Sequence, residues 1–120
     1  AELDPSLSSA YTNLGNLRFR RGMLEDAEFL YRKALDIDPS QPEAYYNLGF
    51  LSFERGQPEV SVVHFERALE SDPSFADAHF NLAMAYEELG RHEDAKVHWE
   101  AYLQIDPGSP WAEIAERHLR

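Results

Sequence analysis

The sequence contains no cysteine. It can build no disulfide framework, thiolate nucleophile or thiolate metal site. Basic residues are scarce: 11 Lys and Arg stand against 22 Asp and Glu, for a net charge of −11. Nucleic acid and anionic membrane surfaces are gripped through basic side chains, so neither is expected as a partner. Long apolar runs are missing too. None approaches the roughly 18 residues that cross a bilayer, and no charged-then-apolar leader opens the chain. The expected setting is cytoplasmic. A Gly-rich phosphate loop and a G-x-S-x-G nucleophile elbow are absent. His92 and His98 stand six apart, a spacing that does not share a helix face. No enzyme activity, catalytic residue, metal or cofactor is therefore expected.

What the chain does have is self-similarity at a period of 34 residues. Glu43-Ala44-Tyr45-Tyr46-Asn47-Leu48-Gly49-Phe50 lies over Ser9-Ala10-Tyr11-Thr12-Asn13-Leu14-Gly15-Asn16. It also lies over Asp77-Ala78-His79-Phe80-Asn81-Leu82-Ala83-Met84. Ala, Asn and Leu hold their places in all three copies, while other places vary freely. A second marker, Asp-Pro, recurs at Asp4, Asp38, Asp72 and Asp106. Proline cannot continue a helix and pushes the preceding residue toward extended conformations. The marker is therefore expected to close helices, and residues 1–7 read as the end of a preceding repeat.

Apolar spacing predicts helices over Ser8–Arg21, Leu24–Ile37, Pro42–Arg55, Pro58–Ser71, Ala76–Leu89 and His92–Ile105. A last helix runs from Pro110 to about Leu119, with Trp111, Ile114, Ala115 and Leu119 on its inner side. Gly22, Gly56 and Gly90 fall where C-terminal caps belong. Pro42 and Pro58 suit the first helical turn. Each 34-residue unit is thus a helical hairpin, and one hairpin alone cannot bury both its faces, so neighbours must stack.

These residues resemble the tetratricopeptide repeat. Tyr11, Leu14, Gly15, Ala27, Tyr31, Ala34 and Pro39 carry the resemblance in the first copy. Tyr45, Leu48, Gly49, Phe65, Ala68 and Pro73 carry it in the second, and Leu82, Ala83, Tyr86, Ala95, Trp99 and Pro107 in the third. Ser61 stands where a small Ala is usual, His79 where Trp or Tyr is usual, and Tyr102 where a small residue is usual. The bulk of Tyr102 implies altered packing against the last helix and Trp111. The resemblance implies an all-α fold of seven helices, a right-handed superhelical solenoid of antiparallel helix pairs. Its repeats would span 8–41, 42–75 and 76–109, followed by a capping helix over 110–120.

In such proteins the first helix of each hairpin lines a concave groove that binds a partner peptide or helix. Here that face carries Thr12, Asn13, Asn16, Phe19 and Arg20 in the first copy. The second copy adds Glu43, Tyr46, Asn47, Phe50, Phe53 and Glu54, and the third Asp77, Phe80, Asn81, Met84, Glu87 and Glu88. Asn13, Asn47 and Asn81 form a ladder at a fixed place, and a side-chain amide can pair with any passing peptide unit. Tyr46, Phe50, Phe80 and Met84 have no obvious internal partner and read as an exposed apolar patch. Acids rim it, and residues 1–41, 42–75 and 76–109 carry net charges of −2, −4 and −5. The expected partner is therefore apolar with basic residues. Acidic chaperone C-termini are not expected to bind. The family's clamp for them uses two Asn, matched by Asn16 and Asn47, but its three basic places hold Thr12, Asp77 and Asn81. Two alternatives to this binding scaffold are a self-assembling homo-oligomeric array, through Leu3, Ala10 and Leu17, and the recruiting arm of a larger bacterial enzyme or regulator.

Overall fold

Three glycines set the hairpins. Gly56 has a φ of 73°, and Gly22 and Gly90 adopt the same left-handed conformation. At the first of these, the Gly56 N–H reaches back to the Phe53 carbonyl at 3.0 Å and the Gln57 N–H to the Ser52 carbonyl at 2.9 Å. This pair of bonds satisfies the last carbonyls of the helix and reverses the chain.

The computed structural model describes residues 4–120. The helices are α1 (Pro5–Arg20), α2 (Leu24–Ile37), α3 (Pro42–Glu54), α4 (Pro58–Ser71), α5 (Ala76–Glu88), α6 (His92–Ile105) and α7 (Ala112–Leu119). The all-α solenoid expected from the periodicity is the fold observed. α2, α4 and α6 span the predicted residues. Consecutive helices pack on one another in chain order, giving a body of 49 × 27 × 23 Å. α1 also touches α3, and α3 touches α5, so the first helices of the hairpins lie side by side.

Where the two helices of a hairpin cross, the backbone must come close. A Cβ built on Gly49 would lie 2.6 Å from the Phe65 ring, and one on Gly15 would lie 2.6 Å from the Tyr31 ring. Phe65, Tyr31 and Trp99 are buried, as are Ala27, Ser61 and Ala95. Small residues thus admit one large ring per hairpin. Trp99 is stacked on His118 of α7 at 4.6 Å and meets the Phe80 edge at 5.0 Å.

The structure corrects two expectations. α1 begins at Pro5, not Ser8, so residues 5–7 belong to it and the first Asp-Pro opens a helix. Asp4 Oδ1 accepts the Ser6 N–H at 2.9 Å. An N-cap Asp followed by Pro is a helix-start pair, whereas Asp38 and Asp72 are already engaged as C-caps of α2 and α4. The expectation for residues 1–3, with Leu3, lies outside the described residues. Second, Trp111 is the N-cap of α7 and not part of its inner face; its side chain is 58% exposed. Leu14 is 38% exposed while its counterparts Leu48 and Leu82 are buried. No described helix covers the outer side of α1, so Leu7 and Leu17 are exposed as well.

Candidate binding groove

The side-by-side arrangement of α1, α3 and α5 leaves two hollows on one face. The first, about 280 Å³, lies between α1 and α3, with Asn16, Phe19 and Arg20 on one side and Tyr46, Asn47 and Phe50 on the other. Tyr31 of α2 forms part of its wall. The second, about 290 Å³, lies between α3 and α5. Tyr46 and Phe50 bound it too, facing Asp77, Phe80 and Asn81, with Tyr102 and Trp111 at the far end. Tyr46 and Phe50 thus form a ridge between two adjacent recesses.

The aromatic side chains of this face are not without internal partners, which corrects the expectation from sequence. Phe50 meets Phe19 at 5.7 Å, and Tyr46 packs on Phe75 at 5.0 Å and Phe65 at 5.7 Å. Phe80 meets Trp99, Tyr102 and Trp111 at 5.0, 5.2 and 6.1 Å. Met84 packs into the core of the last two hairpins. The reason is geometric: residues facing the groove also face the seam between adjacent repeats. All four remain half-buried, so each has a packed side and an open side.

The asparagines divide in the same way. Asn13 lies with Glu43 in a separate shallow recess at the α1 end, Asn47 in the first hollow and Asn81 in the second. They do not form one continuous rail. Asn47 Nδ2 donates to Asn16 Oδ1 at 2.9 Å, and Asn16 Oδ1 also accepts the Tyr31 hydroxyl at 2.7 Å. Asn81 Nδ2 donates to the Tyr46 hydroxyl at 2.8 Å and to the Asp77 carbonyl at 3.1 Å. Among the described residues, these bonds leave Asn16 Nδ2 and Asn47 Oδ1, a donor and an acceptor, unengaged at the first hollow. Glu54 is exposed outside both hollows, and Glu88 lines a different recess with Phe53.

Burial pushes the Tyr31 phenol up to about 12, against the opposing charge of Arg20. Burial, and then the Asp77 charge, push Tyr46 up to about 12 as well. Both hydroxyls therefore keep their protons at neutral pH. Away from the groove, His79 and His98 share a 3.0 Å Nδ1–Nδ1 contact, and burial followed by His79's charge pushes His98 down to about 4. Among the described residues, no group of three His, Cys, Asp or Glu is placed to hold a metal. No described helix is long and apolar enough to cross a membrane.

Sequence reasoning missed Tyr31, Tyr102 and Trp111 as wall residues. The register held the signal for Trp111. It stands 34 residues after Asp77 and 68 after Glu43, both already assigned to the groove. Tyr102 stands 34 after the buried Ala68, so its extra bulk extends to the seam.

A family model described as "Tetratricopeptide repeat" matches residues 46–110, and one described as "TPR repeat" matches 15–56. No curated protein matches the chain. Among solved structures, the first TPR of Spaghetti (RPAP3) bound to HSP90 peptide SRMEEVD superposes with a TM-score of 0.90 at 23% identity. That match covers 98% of this chain and 96% of that one. The Arabidopsis OM64 TPR domain gives 0.86 at 22% identity, covering 94% and 93%. MamA gives 0.81 at 26% identity, covering 95% of this chain and 69% of that one.

Proposed function

The chain belongs to the tetratricopeptide repeat family, and from that premise we propose that it is a non-catalytic scaffold whose groove holds an extended or helical segment of a partner protein. The observation that carries this reading is the pair of adjacent hollows sharing the Tyr46–Phe50 ridge. Two partner side chains can enter them while the backbone crosses the ridge. A peptide unit over the first hollow can donate its N–H to Asn47 Oδ1 and accept from Asn16 Nδ2.

The same geometry argues against acidic peptides of the kind bound by the RPAP3 domain. Of the three places where the family's clamp is basic, Thr12 is buried and bonded to Gln41. Asn81 is engaged with Tyr46, and Asp77 is itself an acid. A ligand carboxylate there meets like charge. Arg20 is the one Lys or Arg lining either hollow, and it lies on the first.

Selection from a random peptide library tests the reading. Peptides enriched in apolar and basic residues should emerge, with micromolar affinity, about 8 kcal/mol. They should lose roughly tenfold or more on the double variant Asn16→Ala and Asn47→Ala, which removes both peptide contacts at the first hollow, with the helical signal retained. Peptides that bind this variant as tightly as the parent, or a selected set dominated by acidic C-termini, would refute it.

A further inference from the structure

We propose that the second hollow is a socket for an arginine side chain of the partner segment, an assignment that rests on the groove reading above. Its walls are aromatic on several sides. Phe80 meets Tyr102 at 66° and Trp111 at 67°, so the rings do not share one plane. Tyr46 and Phe50 close the opposite side. A cation between such rings is drawn to their negative faces, more strongly as water is displaced. At about 290 Å³ the recess sits at the small end of pockets that take whole small molecules, which start at roughly 300 Å³, and suits a single side chain.

The charge of the socket points the same way. Asp77 is its one acidic wall residue, and no Lys, Arg or His among the described residues forms an ion pair with it. Its field reaches into the hollow, since it is the second cause, after burial, that raises the Tyr46 phenol. Asn81 adds an acceptor: its Nδ2 is occupied by Tyr46 and the Asp77 carbonyl, while its Oδ1 has no partner among the described residues. Trp111 is held beside Phe80 with 58% of its surface in solvent, an apolar area that a ligand would cover. Residues 76–109 carry seven acids against two Lys or Arg, which favours approach of a basic segment.

The choice of guanidinium over ammonium follows from hydration and shape. A Lys ammonium is compact and strongly hydrated, and must shed that water to enter an aromatic recess. A guanidinium is planar and weakly hydrated, stacks on rings and keeps its in-plane donors for a carboxylate. A trimethylated lysine would satisfy the rings but offers no N–H to Asp77 or Asn81.

The test uses four capped tripeptides, acetyl-Ala-X-Ala-amide, with X as Arg, citrulline, Lys or trimethyllysine. The indole N–H signal of Trp111 is followed by NMR during titration of the 120-residue chain. The Arg peptide should shift it saturably, and citrulline, which keeps the shape without the charge, should bind roughly fivefold more weakly or worse. Asp77→Asn should weaken the Arg peptide about tenfold, and Asp77→Glu should recover part of the loss. Asp77 is exposed, so both variants should keep the parent's helical signal. Equal response to Arg and citrulline, tighter binding of Lys or trimethyllysine than of Arg, or indifference to Asp77→Asn would overturn the assignment. The library selection uses Asn16 and Asn47 at the first hollow, so the groove reading and the socket can fail separately.

Discussion

The seam between the first and second hairpins carries a buried polar network beside the Phe19–Phe50 contact, and the seam between the second and third is mainly aromatic. At the first, Ser8 Oγ donates to the Ala34 carbonyl at 2.9 Å and accepts from Gln41 Nε2 at 2.7 Å, while the Thr12 hydroxyl bonds to the Gln41 side-chain oxygen. Glu28 bridges to Arg55 at 2.7 Å, and Asn16 to Asn47 at 2.9 Å. One repeat later, Thr12 has become Tyr46 and Gln41 has become Phe75, and these rings lie 5.0 Å apart. At the third seam the places hold Phe80 and Ser109, with Tyr102 bonded to Ser109 at 2.6 Å. Each seam joins hairpins of the same helix order, so the repeat tolerates either chemistry. Directional bonds fix the first seam at modest net energy, because each mainly replaces a bond to water. Ring burial supports the second through area.

The largest test of this contrast is Phe65→Ala. Phe65 is fully buried, fills the space over Gly49 and supports Tyr46 at the aromatic seam. It should cost about 3–5 kcal/mol in urea unfolding. A loss under about 1 kcal/mol would mean that the ring does not anchor the second hairpin.

The polar seam answers to a smaller change. Gln41→Leu leaves the buried Ser8 oxygen without its donor and the buried Thr12 hydroxyl with only the Ser8 carbonyl, at a cost of about 1–3 kcal/mol. Replacing all three, as Ser8→Ala, Thr12→Val and Gln41→Leu, should recover most of that loss. If the triple variant is the least stable, the network contributes more than specificity.

The smallest effect concerns pH. The first hairpin has Leu30 where the second and third have His64 and His98. Burial, first among their causes, lowers both histidines, His98 to about 4. A base whose folded pKa is depressed favours folding while neutral. Its contribution is present above the ordinary histidine range near 6.5 and is lost as pH falls through about 4. Urea midpoints should therefore decline from pH 7 to pH 4, and amide exchange should quicken in α5 and α6 before α1 and α2. His98→Phe, which keeps a ring against Tyr86, should flatten the decline. An unchanged slope would place the acid sensitivity elsewhere.

Much of this was legible in the residues. Gly56 and Pro58 marked the turn between α3 and α4 because each has a backbone preference independent of its neighbours. Ala27, Leu48 and Phe65 were legible as core because repetition separates fixed places from free ones. The groove was legible only in part. Asn16, Tyr46, Asn47, Phe50, Asp77, Phe80 and Asn81 line its hollows, but Glu54 does not, and Asn13 and Glu88 line other recesses. A helix face seen in sequence is a sector of angle. Whether a side chain in that sector meets solvent or the next repeat depends on how closely the helices approach.

The sequence by itself determined the hairpins, their number and their stacking, since local propensity and a fixed period are properties of the chain. It also determined the acidic balance of the third repeat. Tertiary structure alone decided that Tyr46 and Phe50 form a ridge, that the Asn47 and Asn81 amide nitrogens donate to neighbouring side chains, and that Trp111 stands beside Phe80. Those outcomes depend on distances between residues about 30 positions apart, such as the 2.9 Å between Asn16 and Asn47. Close packing, not local preference, sets such distances.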